Sequence, residues 1–187
     1  MKVIQLCVAV TMLSASVYAD HSGFDKTLKL EGISFHVQAD NEGSLNQLTI
    51  TPSGLSGSNA SIRQEIDGSV TGAEVADLNG DGFPEVYVYI NSEGSGSYGS
   101  LVAYSSNKNK SITPVYMPEL SDDKKLSQGY MGHDEFTIIE NSLGRRFPVY
   151  HKGDANCCPQ GGTRQLEYKL VPGEAAWQLK LYKNKTF

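Results

Sequence analysis

The sequence predicts an all-β protein: an antiparallel β-sandwich or flattened barrel with at most one short peripheral helix. Short runs rich in β-branched and aromatic residues recur along the chain and are separated by Gly, Asn, Asp and Pro. The first runs alternate apolar and polar residues, as strands with one wet face do. No alternation of strands with long helical segments accompanies them, so a parallel sheet is not expected.

The predicted elements follow from these runs in order. Eight runs are predicted strands: residues 28–37, 48–51, 86–90, 101–104, 136–139, 147–150, 166–170 and 177–182. Within the first run, Gly32 is expected at a bulge or bend that shifts the register. The helical window is 120–128, where Ser121 can cap a first turn that carries Asp122 and Asp123.

The first 19 residues have the pattern of a secretory signal peptide. Lys2 precedes an apolar run, 3–13, that is too short for a membrane span, and small residues lead to a cleavage site after Ala19. The mature chain is then residues 20–187, a length that suits one domain. No later run is long enough to span a bilayer, so we expect no membrane partner.

The mature chain is mildly acidic. Without Lys2, 15 basic residues face 21 acidic ones, which gives a net charge of −6 at neutral pH. This charge argues against a nucleic-acid partner. It suits an encounter with a basic protein, although acidity also serves solubility alone.

The mature chain has two cysteines, Cys157 and Cys158, which are neighbours. Adjacent Cα atoms are about 3.8 Å apart, less than an unstrained disulfide spans. A vicinal disulfide, two buried thiols and an intermolecular bridge therefore remain as alternatives.

Residues 77–82 resemble the first half of a calcium-binding loop. Asp77, Asn79 and Asp81 place oxygen ligands at alternate positions, with glycines for the tight turn. The twelfth position of an EF-hand would fall on Val88, so an EF-hand is excluded. The segment is similar to the calcium loops of integrin-type β-propeller repeats, in which Glu85 would be a further ligand. The alternative is an Asx-rich turn without a metal, and no other cofactor is expected.

Residues 92–100 form a Gly- and Ser-rich loop between two predicted strands, and we call them the 92–100 loop. Ser95, Ser97 and Tyr98 supply hydroxyl groups and one large ring, and Gly96 adds backbone freedom, as in loops that recognise a partner. Such hydroxyls can donate to carboxylates in a cleft without burying a charge. The alternative is a flexible hairpin end.

The motif Ser95-Gly96-Ser97-Tyr98 matches the Ser-Gly-x-Tyr motif of bacterial lysozyme inhibitors. Together with the run at 77–99 and the segment 153–159, it resembles the periplasmic inhibitors of invertebrate-type (i-type) lysozyme. The resemblance implies a periplasmic β-sandwich whose partner is a lysozyme. It also implies that the 92–100 loop enters the active-site cleft, where Ser95 and Tyr98 engage the catalytic carboxylates.

No catalytic constellation is evident, so we do not expect an enzyme. His133, Asp134 and Glu135 form the best acid-base cluster, but no nucleophile elbow or metal-binding helix accompanies them, and they are expected to be a polar strand entrance. Arg145 and Arg146 are expected in a solvated turn.

A second functional class remains open: a calcium-stabilised extracytoplasmic adhesion or carbohydrate-binding module centred on residues 77–82. A homodimer is also possible. Tyr87 and Tyr89 share one face of a predicted strand, while Val86, Val88 and Ile90 share the other. The tyrosine face could support the loop or contact a second subunit.

Overall fold

The computed structural model describes residues 23–187, so the predicted signal peptide, 1–19, lies outside the described residues. The described chain forms twelve strands in three open, four-stranded antiparallel sheets, which confirms the predicted all-β sandwich class. The strands are β1 Phe24–Leu30, β2 Ile33–Ala39, β3 Leu45–Ser53, β4 Ile62–Asp67, β5 Ser69–Ala76, β6 Glu85–Asn91, β7 Gly99–Ser106, β8 Ile112–Pro114, β9 Glu135–Ile139, β10 Ser142–Pro148, β11 Thr163–Pro172 and β12 Trp177–Thr186.

Each sheet is built from four strands that follow one another along the chain. The first sheet has the order β1-β2-β3-β4, the second β5-β6-β7-β8, and the third β12-β11-β10-β9. Neighbouring strands are therefore joined by turns or loops between consecutive strands, and the sequence needs no crossover connection to form any of the sheets.

The bulge or bend predicted at Gly32 within one strand is instead a hairpin turn between two strands. The run 28–37 is two strands, and β1 turns back into β2 through Glu31 and Gly32, with Leu30 paired to Ile33. Both turn residues have positive φ, 50° and 81°. This two-residue turn matches the twist of the flanking strands, and glycine adopts its second position without steric cost.

The predicted helix is reduced to a single 3-10 turn, Leu120–Asp122, and Ser121 does not cap it. The Asp123 carboxylate instead accepts hydrogen bonds from the backbone N–H groups of Lys125, at 2.8 Å, and Leu126, at 3.1 Å. An Asx turn of this kind competes with helix continuation. Across residues 23–187, no helix has the length and apolar character needed to span a membrane.

The second sheet has a hydrophobic core on each of its two faces. Its inner strand β6 is buried from Glu85 to Ile90, so neither face of this strand is open to solvent. Val86, Val88 and Ile90 pack against the first sheet, whereas Tyr87 and Tyr89 pack against the third. The tyrosine face is thus covered by the third sheet of the same chain.

Candidate functional site

The 92–100 loop connects β6 to β7 at one end of the second sheet. Asn91 and Gly99 form the last pair of the β6–β7 ladder, and the N–H of Ser92 donates to the carbonyl oxygen of Tyr98 at 2.9 Å. Within the loop, the N–H of Ser97 donates to the carbonyl oxygen of Gly94 at 3.2 Å. The predicted loop between two strands is therefore a structured turn on top of a hairpin.

Local hydrogen bonds fix the conformation of this turn. The Ser92 hydroxyl accepts from the N–H of Tyr98 at 3.0 Å, and Asn91 Nδ2 donates to the Ser97 hydroxyl at 3.3 Å. Ser97 has a φ of 43°, a left-handed conformation that non-glycine residues adopt infrequently. A Cβ on Gly96 would overlap the ring of Tyr98, so glycine at this position lets the ring lie against the chain.

The loop presents two of its hydroxyl groups to solvent. Tyr98 is 49% exposed, and Ser95 is also exposed. Within residues 23–187, neither the Ser95 nor the Tyr98 hydroxyl has a hydrogen-bond partner, whereas the Ser97 hydroxyl is engaged by Asn91. Ser95 and Tyr98 are therefore the two hydroxyls of the motif that are free to bind another molecule.

A buried ion pair between Arg145 and Asp134 contacts the 92–100 loop from the side of the third sheet. Asp134 accepts from Arg145 Nε at 2.6 Å, from the Tyr130 hydroxyl at 2.6 Å and from the backbone N–H of Gly99 at 2.7 Å. The side chains of Arg145 and Asp134 are 7% and 0% exposed. The expected solvated turn at Arg145 and Arg146 is wrong, because both residues lie on β10 and only Arg146 points outward.

The electrostatics of this pair keep its hydrogen bonds in one arrangement. Burial alone would lower the pKa of Arg145, but the charge and the hydrogen bond of Asp134, together with Tyr130 and Tyr168, outweigh burial, and the pKa lies above its ordinary value. Burial and the hydrogen bond to Asp134 both raise the pKa of Tyr130. Tyr130 therefore stays protonated and donates to Asp134, while Arg145 Nη2 donates to the Tyr130 oxygen at 2.9 Å.

The residues just before β9 approach the loop through their backbone. The N–H of His133 donates to the carbonyl oxygens of Gly96, at 2.8 Å, and Ser97, at 3.1 Å. His133 has a φ of 59°, and a Cβ on Gly132 would overlap the carbonyl of Gly96. The cluster at 133–135 thus stands at the entrance to β9, and His133 contributes a backbone donor to the loop.

A second loop, 151–160, lies beside the tip of the 92–100 loop. Asn156 Nδ2 donates to the carbonyl oxygen of Ser95 at 3.1 Å. Cys157 and Cys158 follow, exposed and joined as a vicinal disulfide, one of the three alternatives that the sequence left open. The Asp154 carboxylate accepts from the backbone N–H groups of His151 and Gln160, and these bonds lower its pKa.

A groove of about 460 Å³ runs along the exposed side of Tyr98. Tyr98 and Leu120 form part of its wall, together with the acidic residues Asp67 and Glu119 and with Arg145, whose charge is paired with Asp134. The surface next to the loop is therefore open, partly apolar and acidic.

The calcium-like segment lies at the opposite end of β6. The Asp77 carboxylate accepts from the backbone N–H groups of Gly80, at 2.8 Å, and Gly82, at 2.9 Å, and Asn79 Nδ2 donates to Asp81 at 3.0 Å. These hydrogen bonds form the Asx-rich turn that the sequence offered as the alternative to a calcium loop. Seven residues of strand separate this turn from the 92–100 loop, a span of roughly 20 Å.

One buried carboxylate joins the same cluster. Oxygen atoms of Asp77, Asp81 and Glu85 lie within 4.8 Å of one another, so these three could hold a cation together. Glu85 is fully buried and accepts from the N–H of Leu78 at 3.0 Å and from the Ser105 hydroxyl at 3.2 Å. Burial raises the pKa of Glu85 to about 7, because desolvation disfavours its charged form.

The sequence identified the loop and the calcium-like turn but missed the residues that brace the loop. No local pattern marks Tyr130, Asp134, Arg145 and Asn156, since each is far from the loop in the sequence and meets it only in the folded chain. An available signal was the position of Asp134 beside the start of a strand. Comparison with protein-family models, with curated proteins and with solved structures gives no match for this chain.

Proposed function

We propose that this chain is a periplasmic protein inhibitor of lysozyme, with i-type lysozyme as its preferred target and no catalytic activity of its own. The single observation that carries the proposal is the 92–100 loop, which is structured and exposed and offers the free hydroxyls of Ser95 and Tyr98. The resemblance of its Ser-Gly-Ser-Tyr motif to bacterial lysozyme inhibitors names the target.

The chemistry of the loop suits a cleft lined by carboxylates. Lysozymes cleave glycosidic bonds with paired acidic groups, and neutral hydroxyls can donate to such groups without a charge-desolvation penalty of their own. The ring of Tyr98 adds apolar contact area with few rotatable bonds, which keeps the entropic cost of binding small. The acidic groove beside Tyr98 suits contact with a basic partner surface.

The first test is a titration of lytic activity. Purified residues 20–187 are added in increasing amounts to an i-type lysozyme and, separately, to a chicken-type lysozyme. We expect stoichiometric inhibition of the i-type enzyme and weaker or no inhibition of the other. Full activity of both enzymes at a large excess of the protein would contradict the proposal.

A second candidate function is a calcium-stabilised adhesion or carbohydrate-binding module, favoured by the convergence of Asp77, Asp81 and Glu85. It predicts that calcium raises the melting temperature at fixed ionic strength and that the protein binds a cell-wall or surface polymer. An unchanged melting temperature after chelation, with no polymer binding, would remove this candidate.

A further inference from the structure

We propose that Asp134 and Arg145 are positioning residues that hold the 92–100 loop in its binding conformation before a partner arrives, with Tyr130 linking the two to the loop. What the loop binds rests on the proposed function. The held conformation does not, because it can be measured on the protein alone.

The pair reaches the loop at its C-terminal end, immediately after the exposed tyrosine. Asp134 accepts from the N–H of Gly99 at 2.7 Å, and Arg145 Nη2 lies 3.4 Å from the carbonyl oxygen of the same residue. The backbone N–H and carbonyl of Gly99, where the 92–100 loop joins β7, therefore both face this pair. The ring of Tyr130 meets the ring of Tyr98 edge to face, with 5.5 Å between centroids, so the same network touches the exposed side chain itself.

The surroundings of the pair leave it little freedom to rearrange. The guanidinium of Arg145 lies 5.3 Å from the ring centroids of Tyr130 and Phe136 and 5.9 Å from that of Phe147. A Cβ on Gly99 would overlap the side chain of Asp134. The loop can sit directly on the carboxylate only because position 99 is glycine.

Stability alone does not account for a buried pair of this kind. Replacing a buried ion pair with apolar residues is often neutral or stabilising. This pair instead directs one of its acceptor oxygens, Oδ2 of Asp134, at a backbone N–H of the loop. A loop that is already ordered loses less entropy on binding, so its affinity is higher. The role of the pair is therefore to keep the 92–100 loop ordered before it binds.

The test compares three variants of the mature protein with a matched control. Asp134→Ala removes the acceptor and Asp134→Asn keeps an oxygen in its place. The double variant Asp134→Asn with Arg145→Met removes both buried charges, so that no unpaired arginine remains if the single variants unfold. The control is Glu167→Gln, which removes a carboxylate from the outer face of the same third sheet, where it pairs with Lys183 at 3.2 Å.

Two quantities are measured for each protein: amide hydrogen exchange and inhibition of the i-type lysozyme. The reference amide is that of Leu179, which is buried in the core and donates to the carbonyl of Tyr116. Asp134→Ala should speed exchange at Gly99 about tenfold or more beyond any change at Leu179, whose exchange reports the loss of global stability. Its inhibition constant should rise about tenfold, with Asp134→Asn closer to wild type and Glu167→Gln equal to it.

Each outcome decides the proposal. Unchanged exchange at Gly99 in the folded Asp134 variants, or faster exchange with undiminished inhibition, would overturn it. If the wild-type protein inhibits no lysozyme, the proposed function fails, and the exchange rates alone then decide whether the pair holds the loop.

Discussion

Tyr98 is the largest exposed side chain of the 92–100 loop, and its hydroxyl has no partner within residues 23–187. We expect Tyr98→Ala to weaken lysozyme inhibition about 30-fold, because truncating a buried interface aromatic commonly costs about 2 kcal/mol. Ser95→Ala should have a smaller effect, since it removes one hydroxyl and little area. The measurement is the inhibition constant from the lytic titration.

The matched control for this prediction is Tyr182→Ala. Tyr182 is 67% exposed on β12, so its truncation also removes an exposed phenol ring. It should leave inhibition unchanged. Equal inhibition constants for the Tyr98 and Tyr182 variants would rule out the 92–100 loop as the inserted element.

Glu85 predicts a pH dependence of stability. Its folded-state pKa of about 7 lies above the ordinary value of 4.5, so the folded state binds the proton more tightly than the unfolded state does. The stabilisation is fully present below pH 4.5 and is lost as the pH rises to about 7, for a total of up to about 3 kcal/mol. Glu85→Gln should remove most of this loss.

The check is urea unfolding of both proteins at pH 5 and pH 8 in the presence of a chelator. The wild type should unfold at clearly lower urea at pH 8, whereas the Glu85→Gln midpoint should change little. Parallel shifts in the two proteins would assign the pH dependence to other groups.

At the scale of elements, the 151–160 loop combines a vicinal disulfide with a contact to Ser95. Reducing Cys157–Cys158 should hardly change the melting temperature, because a bond between neighbouring residues closes almost no loop in the unfolded chain. Inhibition should weaken about threefold, since the Asn156 hydrogen bond to the Ser95 carbonyl would loosen. Lytic titration with and without reductant measures this effect.

Asn156→Ala tests whether the disulfide affects inhibition through the hydrogen bond from Asn156 to Ser95. It should weaken inhibition by a similar factor in the oxidised protein, and reduction should then add little, because both changes act on the same contact. Additive losses would show that the disulfide acts on inhibition by a route other than Asn156.

The elements also show what the sequence could predict. Strands with strong apolar patterns, such as 86–90 and 166–170, lie within the observed β6 and β11. The polar edge strand β4, with the sequence IRQEID, the strand β5, with the sequence SVTGAEVA, and the short β8 were missed, because each has few large apolar residues. The Ser-Gly-Ser-Tyr loop was predicted from local composition alone.

The contacts of Asp134 and Arg145 with that loop could not be predicted in the same way. Gly99, Asp134 and Arg145 are separated by 35 and 11 positions, and they meet only when the third sheet packs on the second. Two adjacent arginines in a sequence are typical of a solvated surface. The burial of Arg145 follows from tertiary contacts that no local pattern reveals.

At the scale of the whole molecule, the second sheet joins two cores that would otherwise be independent. Alternate side chains of β6 enter different cores, so neither core is complete without the same strand. The two ends of β6 carry the calcium-like turn and the 92–100 loop. Both candidate sites thus adjoin the most buried strand, which favours a fixed backbone geometry at each site.

This arrangement predicts that the mature chain unfolds as one unit. Leu48→Ala in the first sheet should cost about 2–5 kcal/mol, because Leu48 is fully buried in the core shared with β6. Trp177, the single tryptophan, packs against the other core in the third sheet. If the cores unfold together, the variant should shift the Trp177 fluorescence transition and the far-ultraviolet circular dichroism transition to the same lower denaturant concentration. A fluorescence midpoint that stays at the wild-type value while the dichroism midpoint falls would divide the chain into two separately stable parts, and the 92–100 loop would then lie at their boundary.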